Sequence, residues 1–301
     1  MNADLSRIKA MLSGPVASIS IPFDKKGDID YPGLQNYIEY VIQSGVTALL
    51  MTPGDTHYSL LTDNEVAEIT KAVIKQSNNR TLVITAAKQW GTSRCIKYAR
   101  FACQAGADLL LSCPYIWGNA LTAESLADHY RALGREIPVM FYAANESVIL
   151  DAMHLLIHED NGVLAVKDDA CGPAGRRIAS LVRDKWGILS GGLKENHLDS
   201  YPYGSDGYLS VYCRFKAEVA FKYWHAVKNN DFTAAVAIIE KYERPFMDEL
   251  TIKTGLDFDA LIHAAMELFK IAGRWRRTPF TSADDCQMEM IKDFFIKLNL
   301  I

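Results

Sequence analysis

The feature that most constrains this chain is an alternation repeated along most of its length. A short apolar run is followed by a segment with apolar residues at helical spacing, and turn residues separate the two. The apolar runs fall at 16–22, 48–51, 81–85, 108–112, 137–142, 163–167, 187–190 and 206–211. Helical spacing is read over about 31–44, 63–77, 92–104, 122–133, 150–158, 174–185 and 215–228. In the first of these helices Leu34, Tyr37, Ile38 and Val41 share a face, Asp30 stands as an N-cap, and Gly45 stops the helix. Asp63 or Thr62 caps the second. Strands alternating with helices predict a parallel sheet with helices outside it, and eight units in order predict a closed (β/α)8 barrel, the TIM-barrel α/β fold. A Gly-x-Gly-x-x-Gly turn after the first run is missing, which counts against a dinucleotide-binding sheet.

Residues beyond the eighth unit read as three further helices, at about 231–250, 257–272 and 284–299. No Pro, Gly or Ser linker precedes them. The expected organisation is a catalytic barrel over 1–229 and a C-terminal helical bundle over 230–301 packed on its side.

Composition excludes several classes. The chain has 301 residues, 49% hydrophobic and 23% charged, with a net charge of -4. That balance gives no footprint for nucleic acid and no polybasic membrane patch. No apolar run approaches the roughly 18 residues of a membrane helix, and the N-terminal segment lacks a signal-peptide core. Six cysteines, at 95, 103, 113, 171, 213 and 286, form no Cys-x-x-Cys pair. Reduced thiols and a cytoplasmic location are expected.

In such a barrel the chemistry sits at the carboxyl ends of the strands. The sixth run, Gly162-Val163-Leu164-Ala165-Val166-Lys167, delivers a lysine there at the end of a strand buried on both faces. A partly desolvated amine that loses its proton is a nucleophile towards a carbonyl. Lys88 ends the third strand in the same way, and periodicity does not choose between the two lysines. Other strand ends offer Thr52 to Tyr58, Tyr115 and Trp117, Tyr142, Asp168 and Asp169, and Ser190 to Gly192.

Four stretches carry a resemblance. They are GVTALLMTPGDTHYSLLT from Gly45 to Thr62, Cys113-Pro114-Tyr115, Pro138-Val139-Met140-Phe141-Tyr142, and Val166-Lys167-Asp168-Asp169, with Leu189-Ser190-Gly191-Gly192 in support. In their order and spacing the chain resembles the dihydrodipicolinate synthase and N-acetylneuraminate lyase family of class I lyases, over about residues 14–300. The resemblance implies that Lys167 forms a Schiff base with a ketone and that Tyr142 relays protons. It implies a carboxylate-holding loop after the second strand, where Gly54, Asp55, Thr56 and His57 stand when counted without a gap, or Thr52, Pro53, Gly54 and Asp55 when the register slides to match Gly-acidic, with Gly191 and Gly192 at the same end. Tyr115 or Trp117 is expected as a wall, with Leu209 beside it; Lys88, which departs from the family pattern after the third strand, is expected as a ligand for a substrate carboxylate. It also implies a homotetramer or homodimer, a small-molecule partner, and neither metal nor cofactor.

The departures narrow the function. The family shows two hydroxyl residues, then Gly and Glu, after the second strand; here one hydroxyl is missing and Asp55 intrudes, with His57 as its expected partner. The synthases carry an arginine shortly after the strand-five tyrosine, but here the run is Ala143-Ala144-Asn145-Glu146-Ser147. The expected activity is therefore a Schiff-base lyase, aldolase or dehydratase, acting on a 2-oxo acid or sugar acid, and not a true dihydrodipicolinate synthase. The alternative is a protein of this fold with an altered substrate or a binding or regulatory role. His154 and His158, four residues apart on an outer helix, lack a third ligand and read as structural. Arg274, Trp275, Arg276 and Arg277 read as a solvated turn before Pro279.

Overall fold

The computed structural model describes residues 2–114, 120–144 and 147–301. Helix α1 (Asn2–Leu12) comes first, then β1 (Gly14–Ser18), α2 (Tyr31–Gln43), β2 (Ala48–Leu50), α3 (Asp63–Ser77), β3 (Leu82–Ala86), α4 (Thr92–Ala105) and β4 (Leu109–Ser112). They are followed by α5 (Ala123–Gly134), β5 (Val139–Ala143), α6 (Ser147–Leu156), β6 (Val163–Asp168), α7 (Gly172–Val182), β7 (Gly187–Ser190), α8 (Leu193–Ser200), β8 (Gly207–Leu209) and α9 (Ala217–Lys228). The eight strands form one closed parallel barrel in sequence order, β8 pairing back to β1. The expected TIM barrel is the fold observed.

Local chemistry explains the elements. Every strand residue in β1, β2, β3, β4, β6 and β7 is buried, as expected of strands covered on both faces. Asp30 caps α2 by accepting from the Gly33 N–H, and Thr62 with Glu65 closes a capping box on α3. The first strand is shorter than its apolar run. It ends at Ser18 because β1 pairs with β8 through Gly14 to Val16 and with β2 through Ala17 and Ser18. Residues 20–22 then run on outside the ladder.

Two helices were not foreseen. Helix α1 packs under the barrel floor, where Gly187 and Gly207 let it in: a Cβ on Gly207 would lie 1.9 Å from the Leu12 carbonyl oxygen. Helix α8 fills the gap between β7 and β8.

The C-terminal part is helical, as expected. Helix α10 (Phe232–Ile238) widens into π-helical turns at Ile239–Glu243 and Pro245–Glu249 before α11 (Leu250–Thr254), α12 (Phe258–Leu268) and α13 (Asp285–Lys297). Pro245 has no N–H to donate and its ring crowds the preceding turn, which the wider turns accommodate. The main buried apolar cluster runs from the barrel into α11, α12 and α13, and a smaller one joins Tyr208 and α9 to Ala235 and Ile239 at α10. The Arg274 to Arg277 segment is not a solvated turn. Arg276 is buried and pairs with Asp257 at 2.7 Å, while Arg277 reaches Glu65 and the Gly27 and Leu60 carbonyls. Arg277 clamps the C-terminal segment onto the barrel's β2–α3 side, while Arg276 holds that segment to the start of α12.

Candidate active site

Lys167 and Tyr142 are directly paired across the β5–β6 ladder. Partners in register point to the same face of a sheet, so both side chains emerge together at the barrel mouth. Asp168, one residue on, faces the other way. Its Oδ1 accepts from the Ala170 and Cys171 N–H groups, and Gly175 of α7 lacks the Cβ that would otherwise lie 2.4 Å from Oδ2. Burial raises the Asp168 carboxyl above its ordinary range. It therefore holds the loop after β6 in shape.

The chain turns back after Asp168, and Asp169 returns to the mouth. Both of its carboxylate oxygens contact the Lys167 Nζ. Gly191 makes room for it, since a Cβ there would lie 1.7 Å from Asp169 Oδ1. Lys167 is 6% exposed, and its Nζ lies 5.5 Å from the Tyr142 ring centre. Burial, then the charge of Asp169, raises the Tyr142 phenol well above its ordinary range, so it stays protonated and acts as a donor.

These groups open into a cavity of about 460 Å³. Its wall includes Thr52, Pro53, Gln89, Leu111, Cys113 and Pro114. Of the residues expected from sequence, Lys167, Tyr142, Gly54, Asp55, Gly192 and Leu209 line it. Burial pushes the Cys113 thiol up to about 12, which makes it an inert wall. A wider groove of about 650 Å³ lies on the outer face beside α6 and α7, against His154 and Arg177, away from the strand ends.

Several expectations need correction. Lys88 does not enter the cavity: its Nζ donates to the Leu61 carbonyl at 2.7 Å and pairs with Asp63 at 3.4 Å. Thr56 is fully buried beneath the loop, where its Oγ1 donates to the Ile19 carbonyl and accepts from the Thr52 N–H. His57 is turned away from Asp55; it pairs with Asp259 at 3.3 Å and stacks on His263. Gly191 sits behind Asp169 and outside the lining. Tyr115 and Trp117 lie outside the described residues.

The partner of Asp55 is Arg214, at 3.1 Å. Burial pushes the Asp55 carboxyl up, but Arg214 and Lys167 outweigh it and hold it below the ordinary carboxylate range. Arg214 comes from the turn after β8 and is 1% exposed. Its one sequence signal was position: a lone arginine between Cys213 and Phe215, just past the eighth apolar run. Asp169 was in view at a strand end but had no assigned role.

A family model described as the Dihydrodipicolinate synthetase family matches residues 11–295. A probable 5-dehydro-4-deoxyglucarate dehydratase of Streptomyces coelicolor is 26% identical over 82% of this chain and 81% of its own length. A 4-hydroxy-tetrahydrodipicolinate synthase of Psychrobacter sp. is 27% identical over 81% of this chain and 82% of its own. Among solved structures, N-acetylneuraminate lyase from Fusobacterium nucleatum superposes with a TM-score of 0.81 at 18% identity, covering 96% of this chain and 99% of that one.

Proposed function

The chain belongs to the dihydrodipicolinate synthetase family, and from that premise we propose that it is a Schiff-base-forming lyase, an aldolase or dehydratase acting on a 2-oxo acid or sugar acid. The observation that carries this reading is one amine, Lys167, inside a cavity at the strand ends with a carboxylate on one side and a phenol on the other. The names of its relatives, a dehydratase and a synthase, agree with carbonyl chemistry of this kind.

The geometry supports a division of labour. Asp169 takes a proton from the Lys167 ammonium, and the freed amine attacks the substrate carbonyl carbon. The carbonyl oxygen becomes a hydroxyl, receives the proton back from Asp169 and leaves as water. The resulting iminium is an electron sink for the bond that breaks next to it. Tyr142, protonated, donates to the oxygen that develops charge and returns a proton where cleavage leaves a carbanion. The missing arginine after Tyr142 argues against the dihydrodipicolinate synthase reaction itself.

Incubation with a panel of 2-oxo acids and sugar acids, followed by cyanoborohydride and peptide mass mapping, should place the reduced adduct on Lys167. Lys167→Ala should show none. An adduct on Lys88, or activity unchanged by Lys167→Ala, would overturn the reading. The six unpaired cysteines support a cytoplasmic location. We also expect a symmetric homodimer or homotetramer, to be measured by light scattering.

A further inference from the structure

The part of the cavity wall that follows β7 stands on unfavourable backbone. Gly192 lines the cavity and is the N-cap of α8, with φ 66°. Leu193 follows with φ 70°. Glycine adopts this left-handed conformation freely, but a bulky residue is strained in it and stays there only where its surroundings impose it. Among the described residues no acceptor takes the Gly192 N–H, which leaves it to the occupant of the cavity.

The cap of α8 comes from far along the chain. A glycine N-cap has no side chain to accept the first helical N–H groups. Glu243, in the π-helical turn Ile239–Glu243 of the C-terminal part, takes that role. Its Oε2 accepts from the Lys194 N–H at 2.9 Å and its Oε1 from the Lys194 Nζ at 2.6 Å. One buried carboxylate thus holds both the main chain and the side chain of the residue after Leu193. A negative charge there also suits the N-terminus of a helix. Nearby points are pinned by other groups. The Asn196 Nδ2 donates to the Gly191 carbonyl at 2.9 Å, and the Tyr223 hydroxyl donates to the Lys194 carbonyl at 3.0 Å. Gly192 and Leu193 lie between those pins, and the Lys194 amide is their link to Glu243.

We propose that Glu243 is a positioning residue for the substrate: acting through the Lys194 amide, it keeps Leu193 left-handed and so fixes the Gly192 wall of the pocket. This rests on Lys167 as the imine-forming amine. Without the carboxylate, Leu193 relaxes to negative φ and Gly192 turns with it. The imine step is spared, because Gly191, behind Asp169, keeps its bonds to Asn196 and to the Asp168 carbonyl. A residue of the C-terminal helices therefore sets how tightly substrate is held and leaves the reactivity of the amine unchanged.

The probe is pyruvate, replaced by the best-labelling acid of the panel above if pyruvate does not label Lys167. Cyanoborohydride trapping on Lys167 gives a half-saturating concentration and a limiting rate, measured beside urea unfolding. Lys194→Met breaks the ion pair but leaves the amide at position 194 bonded to Glu243. It should lose stability and keep the half-saturating concentration within about twofold. Lys194→Met with Glu243→Leu regains most of that stability but offers the amide no acceptor. Its half-saturating concentration should rise about tenfold or more, with the limiting rate within about twofold. Leu193→Gly, added to the double variant, relieves the left-handed strain and should bring the half-saturating concentration back to within about threefold of wild type. The double and triple variants decide the matter if Lys194→Met alone does not fold. A double variant with the wild-type half-saturating concentration, or a loss that Leu193→Gly does not reverse, overturns the proposal and leaves the lysine chemistry standing. A wild-type protein in which no acid of the panel labels Lys167 removes the lysine chemistry and this proposal together.

Discussion

At the scale of single residues, the site depends on how Asp169 is held. Gly191 is the contact that allows it to reach Lys167. We expect Gly191→Ala to push Asp169 aside and slow adduct formation by about tenfold or more, while costing about 1–3 kcal/mol of stability. Single-turnover trapping beside urea unfolding checks this, and a variant with native trapping kinetics would show that Asp169 is not needed there. Tyr142→Phe should leave the imine trappable but lower turnover by about 10²–10⁴-fold. Because burial and Asp169 both raise the Tyr142 phenol, no loss of activity through its ionisation is expected up to about pH 10. Lys167 was legible in the chain because a buried apolar run ended on it. Asp169 and Arg214 were not assigned because their meaning lies in what they touch, and those contacts join separate segments.

At the scale of elements, one buried histidine ties three of them together. His129 on α5 bonds Ser112 at the end of β4 and Thr92 at the start of α4, each at 2.9 Å. Burial lowers it to about 4. Between that value and its ordinary one near 6.5, the unfolded chain binds a proton that the folded chain does not, so stability rises with pH across this window. Acidification from about pH 7 to pH 4 should therefore cost up to about 3 kcal/mol through this residue. His129→Gln should flatten that part of the pH profile in urea titrations; an unchanged slope would remove His129 as the cause. Elements with strong apolar periodicity were readable, as α2 and α3 were from spacing and caps. Helix α8 was not, because the face it buries is polar: Lys194, Asn196, His197 and Ser200. Helix α1 escaped notice because its role is to plug the barrel floor, which exists only once β7 and β8 are in place.

At the scale of the whole molecule, the C-terminal helices lock to the barrel through polar as well as apolar contacts. Lys194 of α8 pairs with Glu243 of the π-helical segment at 2.6 Å, and both are almost fully buried. Tyr208, Tyr212 and Tyr223 surround the ammonium at 5.3–5.9 Å. Glu243→Gln alone should cost about 3–5 kcal/mol, because it strands a buried charge, while Lys194→Met with Glu243→Leu should recover most of the loss. Urea unfolding of the two variants decides it, and a double variant no more stable than the single one would contradict this account. What the chain determined by itself was the alternation and its count, hence the barrel, the helical tail and the amines at strand ends. Those follow from short unbroken apolar runs and a 3.6-residue period, which are local. The tertiary structure decided which lysine enters the cavity, that Asp55 answers to Arg214 instead of His57, and that the loop after β2 keeps its own hydrogen bonds. Each of those pairings joins charges or donors from separate strands and turns, and the energy of such a pair depends on a distance that no run of neighbouring residues encodes.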